Sequence, residues 1–214
     1  MWVVGIGASA GGVEALREVL PTLPDGDVCY LIAQHMSMAH PSLLFQVLDR
    51  ETNLEVVQLG ETTPMKAGVV YIPPPDRDVL ITGEVIRLKH AEPRISPQPS
   101  IDKLFESIAV NSGLKSIGII LSGTGNDGSV GVQAIHTSGG RTIAQEINSC
   151  RYSDMPLNAL NTTCIDFVLP PHDIGPTISK LMDGIEPSNP PGRFGDDECM
   201  AALAVESRRV TGWD

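Results

Sequence analysis

The chain has 214 residues, with 15 Lys and Arg against 26 Asp and Glu, so its formal net charge at pH 7 is −11. Nucleic acid is not an expected partner, because binding to phosphates requires clustered basic residues. Hydrophobic residues make up 42% of the chain and charged residues 19%. This composition is typical of a globular domain with a buried core and not of a disordered chain.

The sequence contains no uninterrupted apolar stretch long enough to span a bilayer, so no membrane insertion is expected. The four cysteines form no C-x-x-C pair, and together with the histidines they form no ligand set, so neither a metal nor a cofactor is expected. We predict buried thiols in a reducing compartment. Residues 1–10 lack the basic residue of a signal peptide, and this favours the cytoplasm.

Short apolar runs bounded by Gly, Pro or Asp predict buried strands. These runs are residues 2–6, 28–33, 54–59, 69–72, 117–121 and 165–169. Helical periodicity lies between several of them, first after residue 12 and again after Pro41, and the clearest helix begins after Ser100 as N-cap and ends at Gly113. The alternation predicts an α/β fold with a doubly wound, mostly parallel sheet and helices on both faces.

Residues 79–81 and 85–88 flank the turn sequence Thr-Gly-Glu, which predicts an antiparallel hairpin at the edge of the sheet. The Pro-rich and Gly-rich stretch over residues 186–197 is typical of a linker. We therefore expect one compact catalytic domain over residues 1–184 and a linker region over residues 185–214.

The segment over residues 5–12 fits two functional templates. As G-x-G-x-x-A it matches a dinucleotide-binding turn, and as G-x-S-x-G it matches a nucleophile elbow that exposes Ser9. A glycine-rich turn with a solvated serine is the third interpretation. The second strand ends at His35 and not at the acidic residue that would hold a ribose. A histidine there suits proton transfer with Ser9, although a lone His is often structural, and His40 is a weaker candidate.

A third polar segment, residues 123–128, follows the run at 117–121 and contains Asn-Asp-Gly. Alone it predicts only a turn, but open α/β sheets place their sites at the carboxyl ends of strands. Asp127 would then accept a hydrogen bond from one nitrogen of His35 while the other nitrogen faces Ser9. The chain order Ser, His, Asp differs from that of the α/β-hydrolases.

Residues 7–12, 34–36 and 123–128 resemble the three signature blocks of the bacterial chemotaxis protein-glutamate methylesterase (CheB-type) catalytic domain. Residues 71–73, 99–105 and 155–156 resemble its secondary blocks, and the resemblance covers about residues 3–182. It implies that Ser9, His35 and Asp127 are a catalytic triad on a doubly wound parallel sheet. It also implies γ-glutamyl methyl esters on chemoreceptor cytoplasmic helices as substrates, and some members of the family deamidate receptor glutamines.

Further site residues are expected around the triad. The oxyanion and substrate-binding positions are Ala10, Gly11, Met36, Thr124, Gly125 and Asn126. The family commonly has Thr in place of Ala10 and Met in place of Thr124, which puts the rate in doubt more than the reaction type. The candidates for a locally basic cleft are Arg17, Lys103 and Arg151.

The ends of the chain raise two further expectations. The first strand begins almost at Met1, so the usual phosphoacceptor domain of the family is not expected within this chain. Residues 206–214 resemble the opening helix of the chemotaxis receptor methyltransferase, and we hypothesise a methylesterase–methyltransferase fusion; the alternative is a frayed C-terminal helix. Two other functions stay open, a dinucleotide-binding oxidoreductase and a catalytically silent scaffold that docks on receptors.

Overall fold

Alternating strands and helices build the fold around a central parallel sheet. The structure is a computed structural model and describes residues 1–35, 43–75, 77–90 and 98–187. In chain order its strands and helices are β1 (Trp2–Ala8), α1 (Gly12–Val19), β2 (Val28–Gln34), α2 (Leu43–Leu48), β3 (Glu55–Gln58), β4 (Thr62–Pro64), β5 (Val69–Ile72), β6 (Arg77–Thr82), β7 (Val85–His90), α3 (Ile101–Ser112), β8 (Ser116–Ile120), α4 (Ser129–Thr137), β9 (Arg141–Gln145), α5 (Asp154–Leu160), β10 (Phe167–Leu169) and α6 (Pro171–Met182).

The main sheet has seven parallel strands in the order β10-β9-β8-β1-β2-β5-β3. The predicted doubly wound α/β class is confirmed. Strands β8, β1 and β2 are neighbours near the middle of the sheet, and their carboxyl ends therefore lie side by side. In α3, the side chain of Ser100 accepts a hydrogen bond from the backbone N–H of Lys103 at 3.3 Å, as its predicted N-cap role requires.

The predicted hairpin is present, but its place in the fold differs from the prediction. Strands β6 and β7 pair with each other, and β7 also pairs with β4, in a separate three-stranded antiparallel sheet that does not extend the main sheet. The outer edge of β5 is already paired with β3, and so offers no place for a hairpin. The apolar side chains of the hairpin pack instead in the core that covers α3; they are Val79, Ile81 and Ile86.

Two hydrophobic clusters cover the two faces of the main sheet. One contains Leu16 of α1 and Ile174 of α6, and the other contains Phe105 of α3 and Val132 of α4. Among the described residues, no helix is both long enough and apolar enough to cross a bilayer.

The cysteines are less deeply buried than predicted. Cys29 is buried, whereas Cys150 and Cys164 are only half-buried because they lie in or next to loops. Cys199 lies outside the described residues. Burial raises the pKa of the Cys29 thiol to about 12, so it is not a reactive thiolate at neutral pH.

Candidate active site

The candidate site lies at the carboxyl ends of the three adjacent central strands. In the register of the sheet, Gly7 of β1 is opposite Ile120 of β8 on one side and Ala33 of β2 on the other. Ser9 and His35 each directly follow one of these strands, and Asp127 lies in the loop after the third. The parallel topology therefore brings three segments of distant sequence to one edge.

A single side-chain amide links the backbone of Ser9 to that of His35. Nε2 of Gln34 donates to the carbonyl oxygens of both residues, at 2.8 Å in each case. The N–H of His35 donates to the carbonyl oxygen of Ala8 at 2.9 Å. Gln34 is buried, and its carboxamide fixes the spacing between the two chain segments.

The turn between β1 and α1 depends on Gly11. This residue is the N-cap of α1 in the left-handed conformation, with φ at +71°. A Cβ atom there would lie 2.8 Å from both Cβ of Arg151 and Oγ of Ser122. Within the described residues, the N–H groups of Ala10 and Gly11 have no hydrogen-bond partner. These N–H groups lie at the positive end of α1, which makes the pair suited to bind an oxyanion.

The loop after β8 passes directly against Ser9. A Cβ atom on Gly123 would lie 2.8 Å from Cβ of Ser9. The next three residues, Thr124, Gly125 and Asn126, are exposed. Nδ2 of Asn158 donates to the carbonyl oxygen of Gly125 at 2.9 Å, so α5 holds this loop in place. The predicted binding residues of the third block therefore line the open side of the site.

Both carboxylate oxygens of Asp127 accept hydrogen bonds. Its Oδ2 accepts from Nε2 of His35 and from the backbone N–H of Ile101, at 2.9 Å each, and its Oδ1 accepts from the N–H of Asp102 at 3.0 Å. Burial alone would raise the pKa of Asp127, but the hydrogen bonds from His35 and from the two N–H groups together hold this pKa below its ordinary value.

His35 is oriented by Asp127 and has its second nitrogen available. The predicted hydrogen bond between the two side chains is confirmed, and each side chain is only 8% exposed. Nδ1 of His35 is buried and has no hydrogen-bond partner within the described residues. An imidazole held through one nitrogen, with the other free, is the arrangement that a general base requires.

Ser122 is a positioning residue that the sequence interpretation overlooked. Its carbonyl oxygen accepts the N–H of Ser9 at 3.0 Å, and its hydroxyl accepts the N–H of Tyr152 at 3.0 Å and donates to the carbonyl oxygen of Ala10 at 2.9 Å. Ser122 is 1% exposed. The one sequence signal was a polar residue at the end of a buried strand, where it must find polar partners.

Comparison with known proteins identifies the family. The family described as CheB methylesterase matches residues 4–178. The chain belongs to this family. The crystal structure of the Thermotoga maritima CheB methylesterase catalytic domain superposes with a TM-score of 0.80 at 28% identity, covering 84% of this chain and 98% of that one.

Curated relatives of this CheB methylesterase family member include longer proteins. A protein-glutamate methylesterase/protein-glutamine glutaminase of Hydrogenovibrio crunogenus is 33% identical over 84% of this chain and 49% of its own length. The protein of the same name from Bordetella parapertussis is 37% identical over 82% of this chain and 52% of its own length. The chain therefore spans about half the length of these relatives. A putative protein of that name from Leptospira interrogans is matched over 86% of its length at 33% identity.

The family match bears on two of the interpretations of the glycine-rich turn. It favours the nucleophile elbow over the dinucleotide-binding turn, and β2 ends at Gln34 and is followed by His35, without the acidic residue that a ribose needs. Within the described residues, no group of three or more His, Cys, Asp or Glu side chains could hold a metal ion.

The expected basic residues of the cleft are already paired with carboxylates. Arg17 contacts Glu51 at 2.7 Å and Lys103 contacts Asp78 at 2.7 Å. Arg151 contacts Glu14 at 3.0 Å, and its Cβ borders the Gly11 turn. Of the three, the structure therefore places Arg151 beside the turn that carries Ser9. Met36 and His40 lie outside the described residues.

Proposed function

We propose that this domain hydrolyses γ-glutamyl methyl esters on the cytoplasmic helices of methylated chemoreceptors, with Ser9, His35 and Asp127 as a catalytic triad. The supporting observation is the buried hydrogen bond between His35 and Asp127, at the strand ends beside Ser9. The names of the relatives describe the same reaction. The proposed substrate places the domain in the cytoplasm.

In the proposed reaction, Oγ of Ser9 attacks the ester carbonyl carbon while Nδ1 of His35 takes the hydroxyl proton. The tetrahedral intermediate then collapses and its bond to the methoxy oxygen breaks. Methoxide is too basic to leave unprotonated, so His35 returns the proton and methanol departs. Water attacks the acyl-enzyme in the same way, which releases the receptor carboxylate and restores Ser9.

The surrounding groups stabilise the charges that develop in this reaction. Asp127 stays ionised and stabilises the imidazolium form of His35. The N–H groups of Ala10 and Gly11, which have no hydrogen-bond partner in the described part of the chain, bind the oxyanion. Losing one such donor typically costs about 3–4 kcal/mol in the transition state. Thr124 stands where the family commonly has Met, and its backbone lies at the open side of the same site.

Glutamine deamidation fits the same steps with ammonia in place of methanol as the leaving group. The names of the relatives also include protein-glutamine glutaminase. We propose it as a second substrate of the same site, because the acyl-enzyme and its hydrolysis are identical for both leaving groups.

The test is methanol release from a methylated receptor cytoplasmic fragment. Ser9→Ala should abolish release, because the variant lacks the hydroxyl that forms the acyl-enzyme in the proposed reaction. Ser179→Ala on α6 is the matched control and should keep the activity of the unchanged protein, since α6 carries none of the expected site residues. Absence of release from the folded, unchanged protein on a fragment known to be methylated would reject the esterase and favour a silent scaffold that docks on receptors.

We also propose that residues 1–184 form the catalytic domain and that residues 185–214 lead into a fused methyltransferase domain. The support is the resemblance of residues 206–214 to the opening helix of that enzyme. Sequencing the reading frame beyond Asp214 tests the fusion, and a stop codon there would reject it.

A further inference from the structure

Helices α3 and α4 begin side by side, and each is capped by a carboxylate that belongs to the other. Asp127, directly before the N-cap Gly128 of α4, accepts the N–H groups of Ile101 and Asp102 in the first turn of α3. In return, Oδ1 of Asp102 accepts the N–H of Gly131 in the first turn of α4 at 2.7 Å. The two helix N-termini thus exchange capping groups: Asp127 caps α3 and Asp102 caps α4.

This exchange fixes Asp127 from two directions. Its own oxygens are bonded to α3, and the loop that carries it leads directly into α4, whose first turn is bonded to Asp102. Helix N-termini stabilise negative charge, so both ends favour the carboxylate forms. Asp102 therefore helps to hold Asp127 in place, although within the described residues it makes no hydrogen bond to His35.

We propose that Asp102 is a positioning residue for the triad, which holds Asp127 against His35 and adjusts through its own charge how strongly Asp127 accepts the hydrogen bond from His35. This proposal rests on the proposed esterase function. Asp102 acts through Asp127 and touches neither the substrate nor the reacting atoms.

The surroundings of Asp102 give its proton a defined effect. Burial raises the pKa of Asp102 to about 6; the N–H of Gly131 opposes this rise, and the charge and hydrogen-bonding capacity of Asp127 add to it. The other titratable groups on the elements packed here are Lys103 and Glu106 of α3, Arg77 and Asp78 of β6, and His35. The first two turns of α4 carry no charged side chain.

Two protonation states of Asp102 follow from this arrangement. At pH 8 it is a second anion behind Asp127, and the two charges together stabilise the imidazolium form of His35. Below about pH 6 it carries a proton that it can donate to Asp127, and the shared carboxylate becomes a weaker acceptor for His35. Protonation of Asp102 should therefore contribute to the loss of activity at low pH.

The test compares Asp102→Asn with the unchanged protein in methanol release between pH 5 and 9. The amide keeps an acceptor for the Gly131 N–H but is always neutral. We expect kcat to fall about tenfold at pH 8 with KM unchanged, and the acid limb of kcat/KM to lose the contribution of Asp102. Glu106→Gln is the same type of change at an exposed position one turn further along α3. It should leave kcat and the acid limb unchanged.

Two outcomes would overturn the proposal. If Asp102→Asn keeps kcat and the pH profile, Asp102 has no influence on the triad. If kcat falls while the acid limb keeps its shape, Asp102 only caps α4.

A second measurement does not depend on methanol release and so separates this proposal from the proposed function. The Asp102 carboxyl carbon, followed by NMR, should titrate near pH 6 in the unchanged protein. In Asp127→Asn its midpoint should move about one pH unit lower, because the neighbouring negative charge is gone. An unchanged midpoint in that variant would show that the two carboxyl groups are not coupled.

Discussion

The two sides of the candidate site are held in opposite ways. On the Ser9 side, the hydroxyl of Ser9 and the N–H groups of Ala10 and Gly11 have no hydrogen-bond partners among the described residues. On the Asp127 side, both carboxylate oxygens are bonded, three donors in all, and the side chain is 8% exposed. In the described part of the chain, the groups that would contact a substrate therefore have no hydrogen-bond partner, whereas the Asp127 carboxylate has partners on both oxygens.

This difference predicts whether the loss of a group on each side affects catalysis, folding or both. Free donors near a substrate cleft are stabilised by water until the substrate replaces it, so their loss affects catalysis more than folding. A buried carboxylate that caps a helix contributes to both, because its partners lose their only acceptor when it is removed.

The largest effect is expected from Asp127→Ala, which should lower kcat by about 10⁴-fold, since His35 loses the group that orients it and stabilises its charge. The free energy of unfolding should also fall by about 2–3 kcal/mol, because α3 loses its capping acceptor. Ser9→Ala should leave the unfolding free energy within about 0.5 kcal/mol. Urea unfolding of both variants measures this. Equal stabilities would contradict the contrast between the two sides.

An intermediate effect is expected from Gly11→Ala. A side chain at φ of +71° is strained and meets Arg151 and Ser122, so the turn must shift and the oxyanion donors with it. We expect kcat to fall about 100-fold. Gly83→Ala is the matched control, because Gly83 has φ of +60° but nothing within 4 Å of its added Cβ. A loss of activity in the control, or none in Gly11→Ala, would reject the role of this turn.

The smallest effect concerns the pH dependence of stability. The raised pKa of Asp102, about 6, means that the folded state keeps a proton that the unfolded chain releases near pH 4. The free energy of unfolding should therefore fall as the pH rises from 4 to 6, by an amount on the order of 1 kcal/mol because the carboxyl group is partly exposed. Asp102→Asn should remove this fall in urea unfolding.

Asp127 has the opposite sign and a different pH range. Its lowered pKa stabilises the fold above about pH 4, and this stabilisation is lost as the pH falls below that value. If the unchanged protein and Asp102→Asn show the same change in the free energy of unfolding between pH 4 and 6, the assignment for Asp102 is contradicted.

The central strands were predictable because their side chains are apolar on both faces, as buried parallel strands require. Strand β9 was missed, since Thr142 and Gln145 interrupt its apolar pattern although both are buried. Thr142 bonds to Asp166, and Gln145 accepts the N–H of Ser122 at 2.8 Å. A sequence pattern does not show that a polar side chain has a distant partner, and such residues are therefore predicted to be exposed.

The same limit applies to the candidate site. The positions of Ser9, His35 and Asp127 at strand ends follow from the alternation of strands and helices. The contacts that hold them depend on Gln34 and Asp102, whose bonds to Ser9 and Asp127 each join residues 25 positions apart in the chain. Local periodicity does not indicate such a bond, because the bond depends on how the strands and helices are arranged in three dimensions.

The position of β1 between β8 and β2 has a consequence for local unfolding. Strands in the middle of a sheet exchange their backbone amide hydrogens mainly when the whole domain opens, whereas edge strands open separately. Ser9 and His35 directly follow β1 and β2, which lie inside the sheet, while β3 and β10 form its edges. Fluctuations that detach an edge strand therefore leave the site intact, and the site persists until the domain unfolds as a whole.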